Sequence, residues 1–430
     1  MIKKFGLKIS LLSVGLLSIF NFIVGQDNAL PPWQEGYLDI HHISTGRGNA
    51  SFILFPDETS LVIDCGDMSE THPLILSERN APAVPDHSKT PAQWVADYIW
   101  QFHPEKKNAT IDFALITHYH DDHFGEIDSL KERCPEGDYL LTGITELGSI
   151  IPIKTLIDRG CDFPINFKDE EVQKRAQLIK DPYSMLGTLQ EYWKFIDYQS
   201  EANGLSYEKF KVGSTQQIKL AHNTGQFPSF IVKNLFVNGE ICSDTGSKTY
   251  CLVKQGEYHG ENELSAGIRI SYGGFNYYTG GDIGGIDQHG QNDPNSMETK
   301  AAPVIGPVDV ATMNHHGNRS SMNTYFISCL RPRVWIGQSW SSDHPGMDVL
   351  RRVTSTYLYP GERDLFATAM LKANKLVIGD LIDKSYQSES GHILVRVYPG
   401  GGNYSVFILN DETTDREVKA KFDYSSKSIH

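Results

Sequence analysis

The stretch His118-Tyr119-His120-Asp121-Asp122-His123 decides how this sequence is interpreted, because it places three imidazoles and two carboxylates within six consecutive residues. Neutral imidazole nitrogens and carboxylate oxygens are ligands suited to Zn²⁺ and similar divalent ions. The chain has only 16 histidines among 430 residues, so this density is not that of an ordinary polar loop. The pattern H-x-H-x-D-H therefore predicts a metal site of the kind that hydrolases use.

The residues on either side of this motif predict its place in the fold. An apolar run over 111–117 indicates a buried strand, and residues 124–126 look like the start of a helix. The motif then follows the carboxyl end of a strand, where open α/β sheets place their sites. Its first two histidines are two residues apart and can face one ion. Asp122 and His123 are left to turn toward a second ion.

Two later strand ends offer further ligands. Asp282 follows a predicted strand at 276–279, and two glycines before it let the backbone turn sharply toward an ion. A two-metal hydrolase needs such a carboxylate to bridge its ions. His315 and His316 follow a predicted strand at 309–314. One of the two is a ligand candidate, and we favour His315.

The first 25 residues differ in composition from the rest of the chain. A basic start with three lysines precedes an almost wholly apolar run, 9–24, and the small residue Gly25. This order is typical of a secretory signal peptide, so we expect export and a mature chain that starts near Gln26. An uncleaved N-terminal membrane anchor is the alternative. No later segment is long and apolar enough to cross a bilayer, so we expect no transmembrane segment in the mature chain.

The bulk composition is that of a globular protein, with 40% hydrophobic and 11% aromatic residues. The net charge is −14 at pH 7, and loss of the three N-terminal lysines makes it more negative. An acidic surface does not steer polyanions toward itself. We therefore expect no tight, non-specific binding of nucleic acid, whereas a small phosphorylated substrate is compatible with this charge.

Six cysteines in an exported chain allow disulfides. Cys242 and Cys251 flank a short polar turn and predict a bridge across a hairpin. Cys134 and Cys161 are placed to close a loop after the metal motif. The other two lie in apolar segments and predict buried free thiols; they are Cys65 and Cys329. The sequence contains no C-x-x-C, which argues against a zinc cluster built from cysteines.

The pattern of strands and helices predicts a single α/β domain over 26–430. Residues from about 131 to 260 are the least regular part, and we expect an elaborated insertion there that shapes or covers the site. Residues 385–430 predict a C-terminal β-hairpin and tail. Elsewhere the patterns predict strands at 37–43, 50–55, 60–63, 264–272 and 333–338, and helices at 91–102, 321–330 and 345–353.

Taken in order, these motifs resemble the metallo-β-lactamase superfamily. The resemblance rests on H-x-H-x-D-H after a strand, the earlier strand end Asp64-Cys65-Gly66, the later Gly281-Asp282 and a strand-end histidine. Within that superfamily the sequence looks most like the ComEC-type branch, the periplasmic nuclease-like domain of DNA-uptake proteins. The pieces similar to that branch are 46–50, 61–66, 262–265, 315–317 and 344–345.

The resemblance implies a four-layer αβ/βα sandwich with two mixed β-sheets and the metals at one edge. It implies ligands for a first ion, for a second ion and for a bridge between them: His118 and His120; Asp122, His123 and His315; Asp282. Two zinc ions are expected, with manganese as the alternative. Asp64 is expected to orient the residues of the metal loop without binding an ion itself.

One departure from the family pattern concerns the first ion. Many members place a further histidine shortly before the Gly-Asp strand. Here the sequence reads Gly260-Glu261-Asn262-Glu263, and His259 lies one or two positions early. Asn262, Glu261 or water is then left to complete the first ion.

The resemblance also implies an activity. A metal-activated hydroxide would attack the substrate, with Asp122 both binding an ion and orienting that hydroxide. His316 and His344 are candidates to stabilise the developing oxyanion or the leaving oxygen. The ComEC-like motifs favour a phosphodiester substrate. Hydrolysis of a lactone, ester or amide is the alternative, and a non-catalytic metal-binding module is a third hypothesis.

Overall fold

The computed structural model describes residues 29–178, 184–243, 249–258 and 260–427. The predicted signal peptide and His259 lie outside these ranges. Within them the strands are β1 Leu38–His42, β2 Ala50–Leu54, β3 Ser60–Cys65, β4 Ile111–Leu115, β5 Ile153–Asp158, β6 Ser206–Lys209, β7 Phe230–Val237, β8 Glu240–Cys242, β9 Thr249–Cys251, β10 Gly267–Tyr272, β11 Phe275–Thr279, β12 Val310–Thr312, β13 Val334–Gly337, β14 Asp364–Ala367, β15 Tyr386–Ser388, β16 His392–Val397, β17 Asn403–Leu409 and β18 Val418–Ser425. The helices are α1 Pro91–Phe102, α2 Asp121–Phe124, α3 Gly143–Ile150, α4 Glu170–Leu178, α5 Met185–Asn203, α6 Met297–Ile305, α7 Thr324–Leu330, α8 Met347–Val353, α9 Lys372–Ile378 and α10 Leu381–Ser385.

These strands form two nine-stranded sheets of similar plan. The first sheet has the order β18-β17-β16-β1-β2-β3-β4-β5-β6, and the second has the order β15-β14-β13-β12-β11-β10-β7-β8-β9. In the first sheet β3 to β6 run parallel, and in the second β11 to β15 run parallel, whereas the other neighbours are antiparallel. Both sheets are therefore mixed, as predicted.

Among the described residues, the three largest of the four apolar clusters separate four layers of structure. One core lies between the sheets and includes Ile40 and Ile63 of the first sheet with Ile268 and Val310 of the second. A second core packs helices α1, α3 and α5 on the outer face of the first sheet. A third packs α6, α7 and α8 on the outer face of the second. The order helix, sheet, sheet, helix confirms the predicted sandwich.

Helix α1 shows how local sequence sets an element in this fold. Its amino end is closed by a capping box, in which the Thr90 side chain accepts from the backbone of Gln93 and the Gln93 side chain accepts from the backbone of Thr90. Pro91 occupies the first helical position, where its missing N–H costs nothing. The apolar face then buries Trp94, Val95, Tyr98 and Ile99 against the sheet. The predicted bounds of this helix are confirmed.

Two local predictions were wrong. Residues 124–126 do not begin a helix, because the short helix α2 occupies Asp121–Phe124 and ends at Gly125, whose φ is 101°. The predicted cysteine bridges are also absent. Cys134 and Cys161 are buried free thiols, and Cys251 is an exposed free thiol. The register pairs Cys251 with Glu240 and Cys242 with Thr249, so the two cysteines are diagonal neighbours, too far apart for a disulfide.

Cys65 is a buried free thiol as expected, whereas Cys329 is a free thiol that is only partly buried. The segment from 131 to 260, where we expected an insertion, contributes β5 and β6 to the first sheet and β7, β8 and β9 to the second. At the C-terminus the predicted hairpin of β16 and β17 is joined by β18. Among the residues placed by the structure, no helix is long and apolar enough to cross a membrane.

Candidate metal centre

The carboxyl ends of strands from both sheets meet at one edge of the sandwich. The motif of residues 118–123 follows β4 of the first sheet. Asp282 follows β11, and His315 and His316 follow β12, which runs parallel to β11 in the second sheet. Parallel strands end on the same side, so residues far apart in sequence are brought to one place. The structure thus brings together at one edge the strand ends that carry these candidate ligands.

One group of side chains around His316 could hold a metal ion. Its four members each offer a ligand atom, and these atoms lie within 4.8 Å of one another: Asp122, His123, Asp282 and His316. His316 Nε2 is 3.3 Å from Asp122 Oδ2 and 3.3 Å from Asp282 Oδ2. His123 Nε2 is 3.1 Å from Asp282 Oδ1. Two imidazoles and two carboxylates form a donor set that suits zinc and similar ions.

A second group shares Asp282 with the first and adds His118 and His120. His118 Nε2 is 3.2 Å from His120 Nδ1 and 3.9 Å from Asp282 Oδ2. The His118 side chain is fully buried, whereas His120 is partly exposed. Asp282 is therefore the side chain placed between two candidate ion positions, which is the arrangement that a bridging carboxylate requires.

Hydrogen bonds behind the rings show that these groups fit a cation. His316 Nδ1 lies 3.0 Å from the Gln338 carbonyl oxygen, which can only accept, so Nδ1 carries the proton and Nε2 offers its lone pair. His123 is oriented in the same way by Asp64, which lies 2.7 Å from its Nδ1. The two Nε2 atoms then face each other at 3.2 Å. In the neutral rings these two lone pairs repel each other unless a positive charge lies between them, and either a proton on one ring or a bound divalent ion can supply that charge.

Asp64 contacts both His123 and the residue that precedes the metal motif. Its carboxylate accepts from Thr117 N at 2.7 Å and from Thr117 Oγ1 at 2.9 Å, in addition to its contact with His123. It lies at the end of β3 with a left-handed φ of 60°, which a residue other than glycine rarely adopts. Burial raises the pKa of the Asp64 carboxyl above its ordinary value. Partners of ligand imidazoles fix the ring orientation and tautomer in this way.

The charges of the centre favour bound cations. Burial lowers the pKa of His123, but Asp282, Asp122 and Asp64 outweigh burial and raise that pKa well above its usual value. For Asp282, burial raises the pKa, but His123 and His316 outweigh it and hold the pKa well below the usual range. The carboxylates are therefore ionised near neutral pH, and the site attracts positive charge.

The two adjacent histidines after β12 have different positions. His316 is 3% exposed and contacts both carboxylates of its group, whereas His315 is 23% exposed and its Nε2 is 3.9 Å from Asp282 Oδ2. His315 Nε2 lies 3.3 Å from Asn262 Nδ2, and His315 Nδ1 lies 2.8 Å from Ser320 Oγ. The geometry thus favours His316 as a ligand, although the sequence analysis chose His315 and gave His316 a catalytic role.

His344 lies beside the centre. Its ring centroid is 4.8 Å from that of His316, and the ring of Trp340 packs edge-on against both. Its Nδ1 is buried without a hydrogen-bond partner among the residues that are described. Burial lowers the pKa of His344 to about 3, so the ring is neutral. The sequence analysis missed Trp340 and Gln338, which no local motif marks.

Two glycines permit the metal loop to approach β2 and β3. A Cβ atom at Gly66 would lie 2.0 Å from the carbonyl oxygen of Asp122, and one at Gly48 would lie 2.3 Å from the same atom. The backbone of Asp122 is bound in this cradle by a hydrogen bond of 2.6 Å from Asn49 N. Larger residues would displace the loop that presents Asp122 and His123.

A cavity of about 310 Å³ opens against the His118–His120 side of the centre. Its lining mixes polar, acidic and apolar residues: His72, Ile75, Tyr119, His120, Asp121, Gly125, Glu126, Met185 and Thr188. A loop contributes His72 and Ile75 to the cavity, and helix α5 contributes Met185 and Thr188. A small substrate could therefore reach the candidate ion positions from this side.

Residues 44–148 match the model of the metallo-beta-lactamase superfamily. Residues 44–148, about a quarter of the chain, thus correspond to a metallo-beta-lactamase superfamily domain. The matched stretch includes the H-x-H-x-D-H motif and Asp64, and it ends before Asp282 and His316. Members of this superfamily are generally metal-dependent hydrolases, which agrees with the two candidate ligand groups. No curated protein matches the sequence.

Proposed function

We propose that this protein is a hydrolase with two metal ions, most simply zinc, bound on either side of Asp282. The observation that carries the proposal is that two groups of candidate ligands share this one carboxylate. The first ion would be held by His118, His120 and Asp282. The second would be held by Asp122, His123, Asp282 and His316. His316 thus replaces His315 in the ligand set that the sequence suggested.

When bound, such ions lower the pKa of water toward neutrality and neutralise charge on the attacked centre. The chain's own residues position the reactants. Asp122 is 16% exposed, more than His123, His316 or Asp282, so its carboxylate can meet incoming water. Burial raises the pKa of Asp122, but His123 and His316 outweigh burial and lower it, so the group is ionised. It can accept a hydrogen bond from the water and orient it for attack.

His344 would act on the substrate. Its neutral ring has one nitrogen without a partner, beside His316 at the centre. A donor in that position can stabilise negative charge that develops on the substrate during attack. We expect His344→Ala to lower kcat by about a hundredfold to a thousandfold and to leave the metal content unchanged. Loss of metal from this variant would show that His344 is a ligand.

For the substrate we propose a small phosphodiester. Four cationic side chains are each paired with a carboxylate: Arg47 with Glu70, Arg79 with Asp343, Lys131 with Asp67 and Arg159 with Glu261. Arg319, three residues after His316, is exposed and has no ion pair among the described residues. Tight binding of a long nucleic acid needs many unpaired cationic side chains on the protein, placed along the phosphate backbone. Binding of one phosphodiester needs only the ions of the centre. We therefore propose no tight, non-specific binding of nucleic acid.

The same paired cations favour a second candidate, hydrolysis of a neutral ester or lactone, since such a substrate needs no cationic partner. Elemental analysis of the purified protein and a panel of substrates would test both candidates. The panel contains bis(p-nitrophenyl) phosphate, p-nitrophenyl acetate, a simple lactone and a labelled DNA strand. We expect bound zinc or manganese and cleavage of the small phosphodiester. Cleavage of the acetate or lactone alone would select the second candidate, and absence of both metal and activity would refute the hydrolase.

We further propose export, with removal of residues 1–25. The support is the order of basic, apolar and small residues at the N-terminus. Mass spectrometry of protein from the producing cells should find a chain that begins near Gln26. An intact Met1 in the membrane fraction would instead support an N-terminal anchor.

A further inference from the structure

Glu261 and Arg159 form an ion pair beside the first candidate ion position. Arg159 Nε donates to Glu261 Oε1 at 2.6 Å, and Arg159 Nη2 donates to Glu261 Oε2 at 2.8 Å. The side chains are 0% and 1% exposed. Arg159 directly follows β5 of the first sheet, and Glu261 precedes β10 of the second. The pair therefore joins the two sheets at the edge where the metal centre lies.

The carboxylate of Glu261 is fully engaged by donors from the protein. Besides Arg159, it accepts from Tyr119 N at 2.9 Å and from Tyr258 Oη at 3.1 Å. A carboxylate with four such donors has little remaining capacity to bind an ion. Of the three groups that could have completed the first ion, Glu261 is thus the one that the geometry assigns to another task.

That task concerns Tyr119, which lies between His118 and His120. The strand before it ends at Leu115 and α2 begins at Asp121, so its N–H has no partner within a helix or strand. Glu261 supplies that partner. The guanidinium of Arg159 also lies 4.3 Å from the centroid of the Tyr119 ring. Tyr119 is therefore fixed through both its backbone and its side chain.

Arg159 is itself anchored. Its Nη1 donates to the carbonyl oxygens of Gly160 at 3.0 Å and Phe163 at 2.8 Å. A buried ion pair is seldom a net source of stability, because two charges must lose their water. The fixed geometry of the pair can instead hold the loop that carries the ligands, because ligands must be presented to the ion at defined positions.

We propose that Glu261 and Arg159 are positioning residues that hold His118 and His120 in place to bind the first ion. This inference rests on the proposed function. The ligand group proposed for the first ion contains three candidate residues, and the group proposed for the second ion contains four. With fewer protein ligands, the first ion depends more on how well its histidines are held in place.

The experiment is a zinc titration of metal-free, full-length mature protein, followed by calorimetry. His118→Ala identifies which binding step belongs to the first ion. Glu261→Gln keeps the size of the side chain and removes its charge. We expect it to weaken that step by about ten- to a hundredfold, the usual effect of losing a partner that orients ligands, and to leave the other step unchanged. Tyr258→Phe removes only one outer hydrogen bond and should weaken the same step by about two- to fivefold.

The matched control is Asp39→Asn. Asp39 accepts two hydrogen bonds from Arg396, at 2.8 and 2.6 Å, and this pair is as buried as Glu261 and Arg159. It joins β1 to β16 within the first sheet. Asp39→Asn should lower thermal stability and leave both zinc steps unchanged.

Some outcomes would overturn the positioning role and leave the proposed function intact. One is that Glu261→Gln and Tyr258→Phe bind both ions with wild-type affinity. Another is that these variants lose affinity equally at both steps. The same loss in Asp39→Asn would also overturn it. If Glu261→Gln does not fold, Tyr258→Phe decides by itself. A wild-type protein that binds no zinc would overturn the proposed function, and the positioning role with it.

Discussion

Replacing His316 tests the metal centre most directly, because its neighbour His315 provides a control one residue away. His316 belongs to a group of four candidate ligands. Zinc binding by four protein ligands is worth about 10–16 kcal/mol, or roughly 3 kcal/mol for each ligand. Loss of about 3 kcal/mol of binding free energy corresponds to a roughly hundredfold lower affinity for the ion. His316→Ala should therefore lower the affinity for the second ion by about that factor, and at limiting zinc it should lower kcat by at least as much.

His315→Ala should behave differently. His315 is 23% exposed and its nearest carboxylate oxygen in the group is 3.9 Å away, compared with 3.3 Å for His316. It contacts Asn262 and Ser320 instead. We expect its loss to weaken zinc by no more than about tenfold, the smaller effect of residues outside the ligand set.

The assay is competition between each variant and a chromogenic chelator for zinc, together with turnover at saturating and limiting zinc. Circular dichroism establishes that both variants are folded. If His315→Ala loses the second ion while His316→Ala retains it, the choice made from the sequence is right and the assignment from the geometry is wrong.

Three further outcomes are expected. Asp282→Ala removes the carboxylate that both groups share, so it should weaken both ions and lower kcat by about a hundredfold or more; elemental analysis and turnover measure this, and retention of two ions would contradict it. Gly66→Ala places a Cβ atom 2.0 Å from the carbonyl oxygen of Asp122, whereas a Cβ atom at Gly402 has no neighbour within 4 Å. Gly66→Ala should therefore reduce both the zinc content and the melting temperature, and the control Gly402→Ala should change neither. Burial raises the pKa of Glu298 from 4.5 to about 7, so between these pH values the folded protein binds a proton that the unfolded chain releases. The contribution of Glu298 to the free energy of unfolding should therefore fall by about 3 kcal/mol as pH rises from 4.5 to 7. Urea unfolding should show this fall in the wild type and not in Glu298→Gln.

Much of the fold could be predicted because its elements have local signals. The strand β4 is an apolar run, and α1 has both a capping residue and an apolar face. The prediction of elements failed where a helix or strand is recognisable only from its packing against a sheet. Helix α5 buries Leu186, Leu189, Tyr192 and Phe195 at regular spacing, but aromatic and charged residues between them obscure that pattern. β18 alternates between partly buried and exposed residues at the sheet edge, yet it was assigned to a tail.

The site shows a sharper limit. The motif of 118–123 and the strand-end Asp282 are visible in the sequence, because each follows an apolar run. The choice between His315 and His316 is not visible, since both follow the same strand. It is made by backbone torsions, with left-handed φ values of 47° for His315 and 55° for His316. These torsions send the two adjacent rings in different directions. Arg159 and Glu261, which are 102 residues apart, likewise have no signal in local sequence.

The strained backbone and the clustered charges of the centre have one explanation. Asp64, His315 and His316 all have left-handed φ, at a cost of about 1–3 kcal/mol each. The carboxylates of Asp282, which is buried, and of Asp122, which is partly exposed, are held near one another. Neither feature stabilises the fold, so both must be maintained by the two sheets that contribute the loops. Because the ligands come from both sheets, a bound ion would also join them, and part of its binding energy would offset the strain that positions its ligands.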